Sequence, residues 1–341
     1  MGLKEMESNY KNGLIIMKAY PFHKGHASLI NFGLKNCDIL HIIISHNKSQ
    51  TIPGIDRYDA IQEMYIDNKR VKVYQFEDDD YPQYDHECET LDEFYSYWVP
   101  AIYKLVDDLD VVFTSEDYGD EFAKYLGVKH LIFNKERDII TISGTDIRND
   151  KYKNWDYMTD TMKNKLITRV AIMGPESVGK STLTKRLASY FNTNFVVEYG
   201  RIVYESNGNK VEVNDFIPIS EGRQSLEDWL VKKANKIIFC DTEDITTYLF
   251  LKMYCDNYEE EEKWFLKTLD SKKNYDLYIL LKPDCDAVQD GTRVFLNERE
   301  EHYLEIKKEL DNRGCEYIEI GGYWDDRFFC SIDYIKSIFN I

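Results

Sequence analysis

The chain has 341 residues, 43% of them hydrophobic, enough for two ordinary cores. Its longest apolar runs, such as ILHIIIS and YDLYILLK, fall far short of the roughly 20 residues of a membrane helix, and MGLKEMESNYKNG lacks the apolar stretch of a signal peptide; no membrane partner and a cytoplasmic location are expected. With 43 basic against 61 acidic side chains the formal charge is −18, and no basic patch overrides that field, so nucleic acid is not an expected partner.

The first strand-like run is GLIIM, followed directly by YPFHKGH, Tyr20 to His26. Apolar residues at Leu29, Ile30, Leu34 and Cys37 have helical spacing. His23 and His26 therefore fall at a strand-to-helix turn, where Gly25 allows close backbone approach. A helix start favours anions, and two imidazoles there can donate hydrogen bonds to a polyphosphate as charge develops. The alternative is a pair of histidines that merely cap a helix.

Further strands are expected at ILHIIIS, VKVYQF, DVVFTS and KHLIF. The acidic EDDDYPQYDHECE between two of them reads as a long loop, and its His86/Cys88 pair as solvated rather than metal-binding. Seven cysteines with no CxxC pair suit a reducing compartment. ISGTDIR, Ile142 to Arg148, closes this half. Ser143 or Thr145 can cap a helix, and its N–H groups with Arg148 would form a second anion site. Two such turns over one sheet suit a nucleoside triphosphate lying across the C-terminal strand edge. No side chain resembles an activated nucleophile, so the chemistry would be positioning and charge stabilisation.

The polar stretch from Asn149 to Lys165 has no strand pattern and reads as the junction between domains 1–166 and 167–341. Beyond it RVAIM leads into GPESVGKS, Gly174 to Ser181, which fits G-x-x-x-x-G-K-[ST] between a strand and a helix. Its phosphate-binding set is Gly174, Glu176, Ser177, Gly179, Lys180, Ser181 and Thr182. The glycines let successive N–H groups face phosphate oxygens, Lys180 supplies charge, and the Ser181 hydroxyl suits Mg²⁺. Asp241, ending KIIFCD, can join that metal shell. Glu198, ending the expected strand NFVVE, can accept a hydroxyl proton, and Arg201 can orient the acceptor. Arg293, in DGTR, is placed to cover the transferring phosphate as a lid arginine. YDLYILL and CEYIEI supply the last strands. Strands alternating with helices in both halves predict two α/β domains with parallel sheets.

The HxGH and ISxTxxR pair resembles the nucleotidylyltransferase superfamily, whose domain is Rossmann-like. Its fusion to a P-loop kinase, with KYLG (Lys124–Gly127), EYGR (Glu198–Arg201) and DTEDITT (Asp241–Thr247), resembles the NadR family. That resemblance implies two reactions. ATP would phosphorylate nicotinamide riboside in the second half, and a second ATP would adenylylate nicotinamide mononucleotide in the first, giving NAD and pyrophosphate. It implies Mg²⁺ with ATP as co-substrate. His23, His26 and Arg148, with Lys180 and Glu198 in the kinase, would carry catalysis. Lys18, Gly25, Ser143 and Thr145 would complete the first ATP site, and Trp98 would stack on nicotinamide.

The family start G-x-F-x-P-x-H-x-G-H holds Met17 and Ala19 at its first two fixed places here. A working but altered adenylyltransferase is expected. The alternatives are a riboside kinase whose first domain has lost or changed its activity, and an NAD-sensing regulator. About a dozen residues precede the first strand, too few for the helix-turn-helix of some members, so no repressor role is expected. A homo-oligomer stays open, as do channelling and the choice between amidated and acidic pyridines.

Overall fold

The computed structural model describes residues 10–82, 88–134, 141–271, 275–289 and 294–341. The chain divides into two compact units, Met1–Lys165 and Leu166–Ile341. Among the described residues no helix is long and apolar enough to cross a membrane.

The first unit is a five-stranded, wholly parallel sheet of β1 (Tyr10–Met17), β2 (Cys37–His46), β3 (Val71–Glu77), β4 (Val111–Thr114) and β5 (Lys129–Ile132), in the order β3-β2-β1-β4-β5. Unbroken buried runs in β1 and β4, with Leu14, Ile15, Val111 and Val112 fully buried, are what a sheet covered on both faces demands. The order reverses at β1, with β2 on one side and β4 on the other, so a crevice opens beyond its C-terminal end. YPFHKGH leaves the sheet there. The helix Lys24–Asn36 follows, and Cys37, expected on that helix, instead opens β2. The helix stops at Asn36 because the backbone turns extended at Cys37, whose buried thiol still bonds back to Gly33 O at 3.2 Å.

The second unit is also a five-stranded parallel sheet with its first strand at the centre, but that strand neighbours the third strand of the unit rather than the second. β6 (Thr168–Met173), β7 (Phe195–Val196), β8 (Ile237–Asp241), β9 (Leu277–Leu281) and β10 (Tyr317–Ile320) form a parallel sheet in the order β10-β9-β6-β8-β7. Leu183 and Leu187 of the helix Lys180–Tyr190 pack on Val170, Phe239 and Ile279. The phosphate loop thus leaves the central strand, as YPFHKGH does in the first unit. β7 pairs with β8 only at Phe195 and Val196. Glu198, expected to end that strand, is instead the N-cap of the helix Tyr199–Ser206. An edge strand held by one neighbour ends early, and the chain turns helical.

Candidate active sites

In the first unit His23 and His26 form a reciprocal capping box. Gly25 N–H donates to His23 Nδ1 at 3.1 Å, and His23 N–H donates to His26 Nδ1 at 3.3 Å. The ring centroids lie 3.8 Å apart. Because both Nδ1 atoms accept, each neutral ring carries its proton on Nε2. Burial, and then the neighbouring His23 ring, hold the His26 imidazole well below its ordinary range. His26 is therefore neutral at pH 7 and a hydrogen-bond donor through Nε2.

Ser143 caps the short helix Gly144–Asn149. Its hydroxyl accepts from Asp146 N–H at 3.1 Å, and its own N–H and hydroxyl donate to the Asp146 carboxylate at 3.0 and 2.6 Å. Arg148 donates to Thr145 Oγ1 at 3.0 Å and to the Tyr20 carbonyl, and stacks 4.2 Å from the Tyr20 ring centroid. Gly144 sits so close to that loop that an added Cβ would lie 2.4 Å from Tyr20 O. Tyr20 therefore joins the two motifs. The fully buried Arg57 steadies the same loop, donating to Lys18 O at 2.7 Å and to Gln50 at 2.6 Å. The Lys18 side chain is exposed. Met17 is buried as the last residue of β1, and Ala19 is buried at φ 44°. Trp98, on the helix Leu91–Leu105, packs among Phe76, Tyr81 and Phe94 and donates its indole N–H to Pro82 O at 3.1 Å.

In the second unit the phosphate loop takes φ 142° at Gly174, 62° at Ser177 and 83° at Gly179. A Cβ at Gly174 would lie 2.8 Å from Leu281 O. Lys180 is buried, and its ammonium donates to Pro175 O at 2.9 Å. Asp241 ends β8 beside the Ser181 hydroxyl. Burial, then the Glu198 carboxylate, push its carboxyl up to about 6 against the opposing pull of Lys180. Asp241 Oδ1 is buried with no hydrogen-bond partner among the described residues. Arg201 donates to Glu198 at 3.1 Å.

Lys180, Glu198 and Arg201 line one open cleft whose apolar wall includes Tyr204, Phe216, Phe250 and Tyr254. The helix Asp244–Tyr254 is set by DTEDITT. Glu243, pushed up to about 7 by burial, takes the N–H groups of Ile245 and Thr246 at 2.7 and 2.9 Å. Asp244 is anchored by Arg223 at 2.9 Å and Ser220 at 2.6 Å. That anchoring places Thr246 and Thr247 on the cleft.

The Glu176 and Ser177 side chains are engaged with the chain itself. Glu176 accepts from Val294 and Phe295 N–H at 3.4 and 3.0 Å, and Ser177 Oγ from Val288 N–H at 2.8 Å. What the loop offers a phosphate there is backbone. Thr182 is exposed on the first turn of the following helix. Arg293 and His86 lie outside the described residues. Among the described residues no group of three His, Cys, Asp or Glu is placed to hold a metal by itself.

Tyr20, Arg57 and Arg327 are absent from the expected set. Arg327, fully buried, donates to Val178 O at 2.8 Å and to Lys282 O at 3.1 Å, and so braces the phosphate loop. In the sequence Arg327 follows two aspartates in WDDRFF, and nothing there marks it as buried.

Comparison with known proteins agrees with this division. A family model described as an AAA domain matches residues 169–327, and one described as the citrate lyase ligase C-terminal domain matches residues 12–136. The trifunctional NAD biosynthesis/regulator protein NadR of Escherichia coli is 28% identical, covering 99% of this chain and 86% of its own. NadR of Salmonella typhimurium is also 28% identical, with the same coverage. The crystal structure of a NadR protein in complex with NR superposes with a TM-score of 0.81 at 21% identity, over 98% of this chain and 97% of that one, which establishes the shared fold. Over its whole length, then, this chain resembles the NadR family, with a nucleotidyltransferase-like unit followed by a P-loop kinase-like unit.

Proposed function

We propose that this chain is a bifunctional enzyme of NAD salvage, phosphorylating nicotinamide riboside and then adenylylating the mononucleotide. One observation carries the proposal. In each unit the phosphate-binding helix start leaves the central strand of its own parallel sheet, and the partner groups stand beside it. The likeness to proteins named for NAD biosynthesis supports it, as does that to a NadR structure holding NR.

In the kinase, Glu198 accepts the proton of the riboside 5′-hydroxyl, with Arg201 fixing its carboxylate. The oxygen attacks the γ-phosphorus, the bond to the β-phosphate oxygen breaks, and ADP leaves. Lys180 and the loop N–H groups meet the charge that develops. The aromatic wall of the cleft suits a flat pyridinium ring. In the adenylyltransferase, a phosphate oxygen of the mononucleotide attacks the α-phosphorus of ATP and pyrophosphate leaves. His23 and His26 donate from Nε2, and Arg148 and Lys18 add positive charge. Ser143 and Thr145 shape that turn, and Trp98 backs the Tyr81–Pro82 segment on the acceptor side.

Mg²⁺ fits the second unit, because Asp241 keeps one buried oxygen without a partner next to the Ser181 hydroxyl. Bound there, it would neutralise phosphate charge. We place the enzyme in the cytoplasm, consistent with seven free cysteines.

The test is separate turnover of riboside to mononucleotide and of mononucleotide to NAD, each with Mg-ATP. Both should proceed. Phosphorylation without NAD formation would leave a kinase whose first unit has another role. The self-satisfied capping of Ser143 by Asp146 would then be the feature to re-examine.

A further inference from the structure

We infer that Trp324 is the stacking platform for the base of the nucleoside triphosphate that donates phosphate in the second unit; this rests on the kinase reading. Polarity sets the place. The lysine of a phosphate loop reaches the β- and γ-phosphates, so the α-phosphate, ribose and base lie at the other end, over the first exposed turn of the helix Lys180–Tyr190. At that end a shallow surface cleft is lined by Gly179, Thr182, Leu183, Arg186, Trp324 and Arg327.

The indole closes one side of it. A Cβ at Gly179 would fall 1.9 Å from Trp324 Cζ3, so the ring lies directly against the loop backbone. Yet 48% of Trp324 is exposed, at the head of the helix Trp324–Phe339. Its surroundings are fixed. Arg327 ties this helix to Val178 O, Gly322 O and Asp284, and Arg186 holds Asp325 at 2.8 Å. A rigidly mounted, half-exposed indole beside the α-phosphate end offers a π-face at the position a base must occupy. Thr182 and Arg186 lie beside it for the ribose.

The experiment compares wild type, Trp324→Ala and Trp324→Phe in riboside phosphorylation. Base stacking on an aromatic ring typically carries about a tenfold effect or more. KM for ATP should rise about tenfold or more in the alanine variant with kcat little changed, and phenylalanine should restore most of it. Inhibition by inorganic tripolyphosphate, which has no base, should be unaltered, and so should NAD formation from the mononucleotide. An unchanged KM, or equal losses for ATP and tripolyphosphate, would overturn the proposal, the second by showing that the ring only props Gly179. Fluorescence separates the proposal from the kinase reading. ATP, but not tripolyphosphate, should quench the emission that Trp324→Phe removes, whether or not a riboside is phosphorylated. Absence of that quenching would sink the stacking role alone.

Discussion

The two phosphate sites solve one problem in opposite ways. The helix Lys24–Asn36 is capped by its own side chains, with His23 covering Gly25 N–H and His26 covering His23 N–H. The helix Lys180–Tyr190 has no side-chain cap at all, and Gly179 at φ 83° leaves its first N–H groups exposed to a ligand. On the proposed reading the first unit would meet an anion with imidazole Nε2–H groups, and the second with backbone. Side-chain donors are lost by a single substitution. Backbone donors are lost only when the loop itself is distorted. The two reactions should therefore fail in different ways.

The sharpest break between them is a pair of single substitutions. Lys180→Ala should lower riboside phosphorylation by about a thousandfold or more, since a buried transferring charge disappears, and should leave NAD formation from the mononucleotide intact. His26→Ala should do the converse, lowering NAD formation by about a hundredfold with the kinase unchanged. Parallel rate measurements on both reactions check this. Loss of both activities in either variant would mean that the units are not independent.

Next come the glycines, which test whether backbone matters in both units. Gly144→Ala would place a methyl 2.4 Å from Tyr20 O, a rigid backbone atom. The turn carrying Arg148 must then move away from the loop carrying His23, and adenylyl transfer should fall by about a hundredfold, as for a misplacement of about 1 Å. Gly179→Ala meets the Trp324 ring and a positive φ together, so it should impair the kinase. If Gly144→Ala retained full NAD formation, the link through Tyr20 would be incidental.

Much of this contrast is legible in the sequence. Strands buried on both faces read as continuous apolar runs, so GLIIM, ILHIIIS and RVAIM were found where they stand. GPESVGKS carries its own conformational demand in Gly174 and Gly179. What the sequence hid is tertiary. β7 is two residues long because it has one neighbour, so Glu198 looked like a strand end and is a helix cap. Cys37 keeps the helical spacing but opens β2. Tyr20 and Trp324 act through partners 128 and 145 residues away, Arg148 and Gly179, and no local pattern announces such contacts.

A smaller effect separates the units by pH. His302 is buried in the second unit, with neither ring nitrogen hydrogen-bonded among the described residues, and burial, then Lys180, push it down to about 3. The unfolded chain protonates this residue below about 6.5, whereas the folded chain does so only near 3. The pH-linked part of its cost is therefore absent above 6.5, and stability is lost as pH falls below it. Between pH 7 and 5 the loss is about 2 kcal/mol. Asp241 and Glu243, both raised, act in the opposite sense over pH 5 to 7, so the readout is the difference between variant and wild type. The stabilisation that His302→Leu gives should be about 2 kcal/mol larger at pH 5 than at pH 7 in denaturant unfolding. A pH-independent difference would place His302 in contact with water or a hidden acceptor.

The smallest effect concerns two of the five tryptophans. Trp324 is half in water beside a phosphate loop. Trp98 has its N–H bonded to Pro82 O and its faces among Phe76, Tyr81 and Phe94. An indole satisfied on edge and face by its own chain has more to do with holding Tyr81 and Pro82 in place than with gripping a ligand. Trp98→Phe keeps an aromatic ring in the cluster and removes one hydrogen bond, which should cost about 1 kcal/mol of stability. KM for nicotinamide mononucleotide should move by less than about threefold, because about 0.6 kcal/mol is all that an indirect shift of the wall would transmit. A rise of tenfold or more with stability unchanged would mean that the ring leaves its cluster to stack on the pyridine, and that the acceptor subsite of the first unit forms only when its substrate arrives.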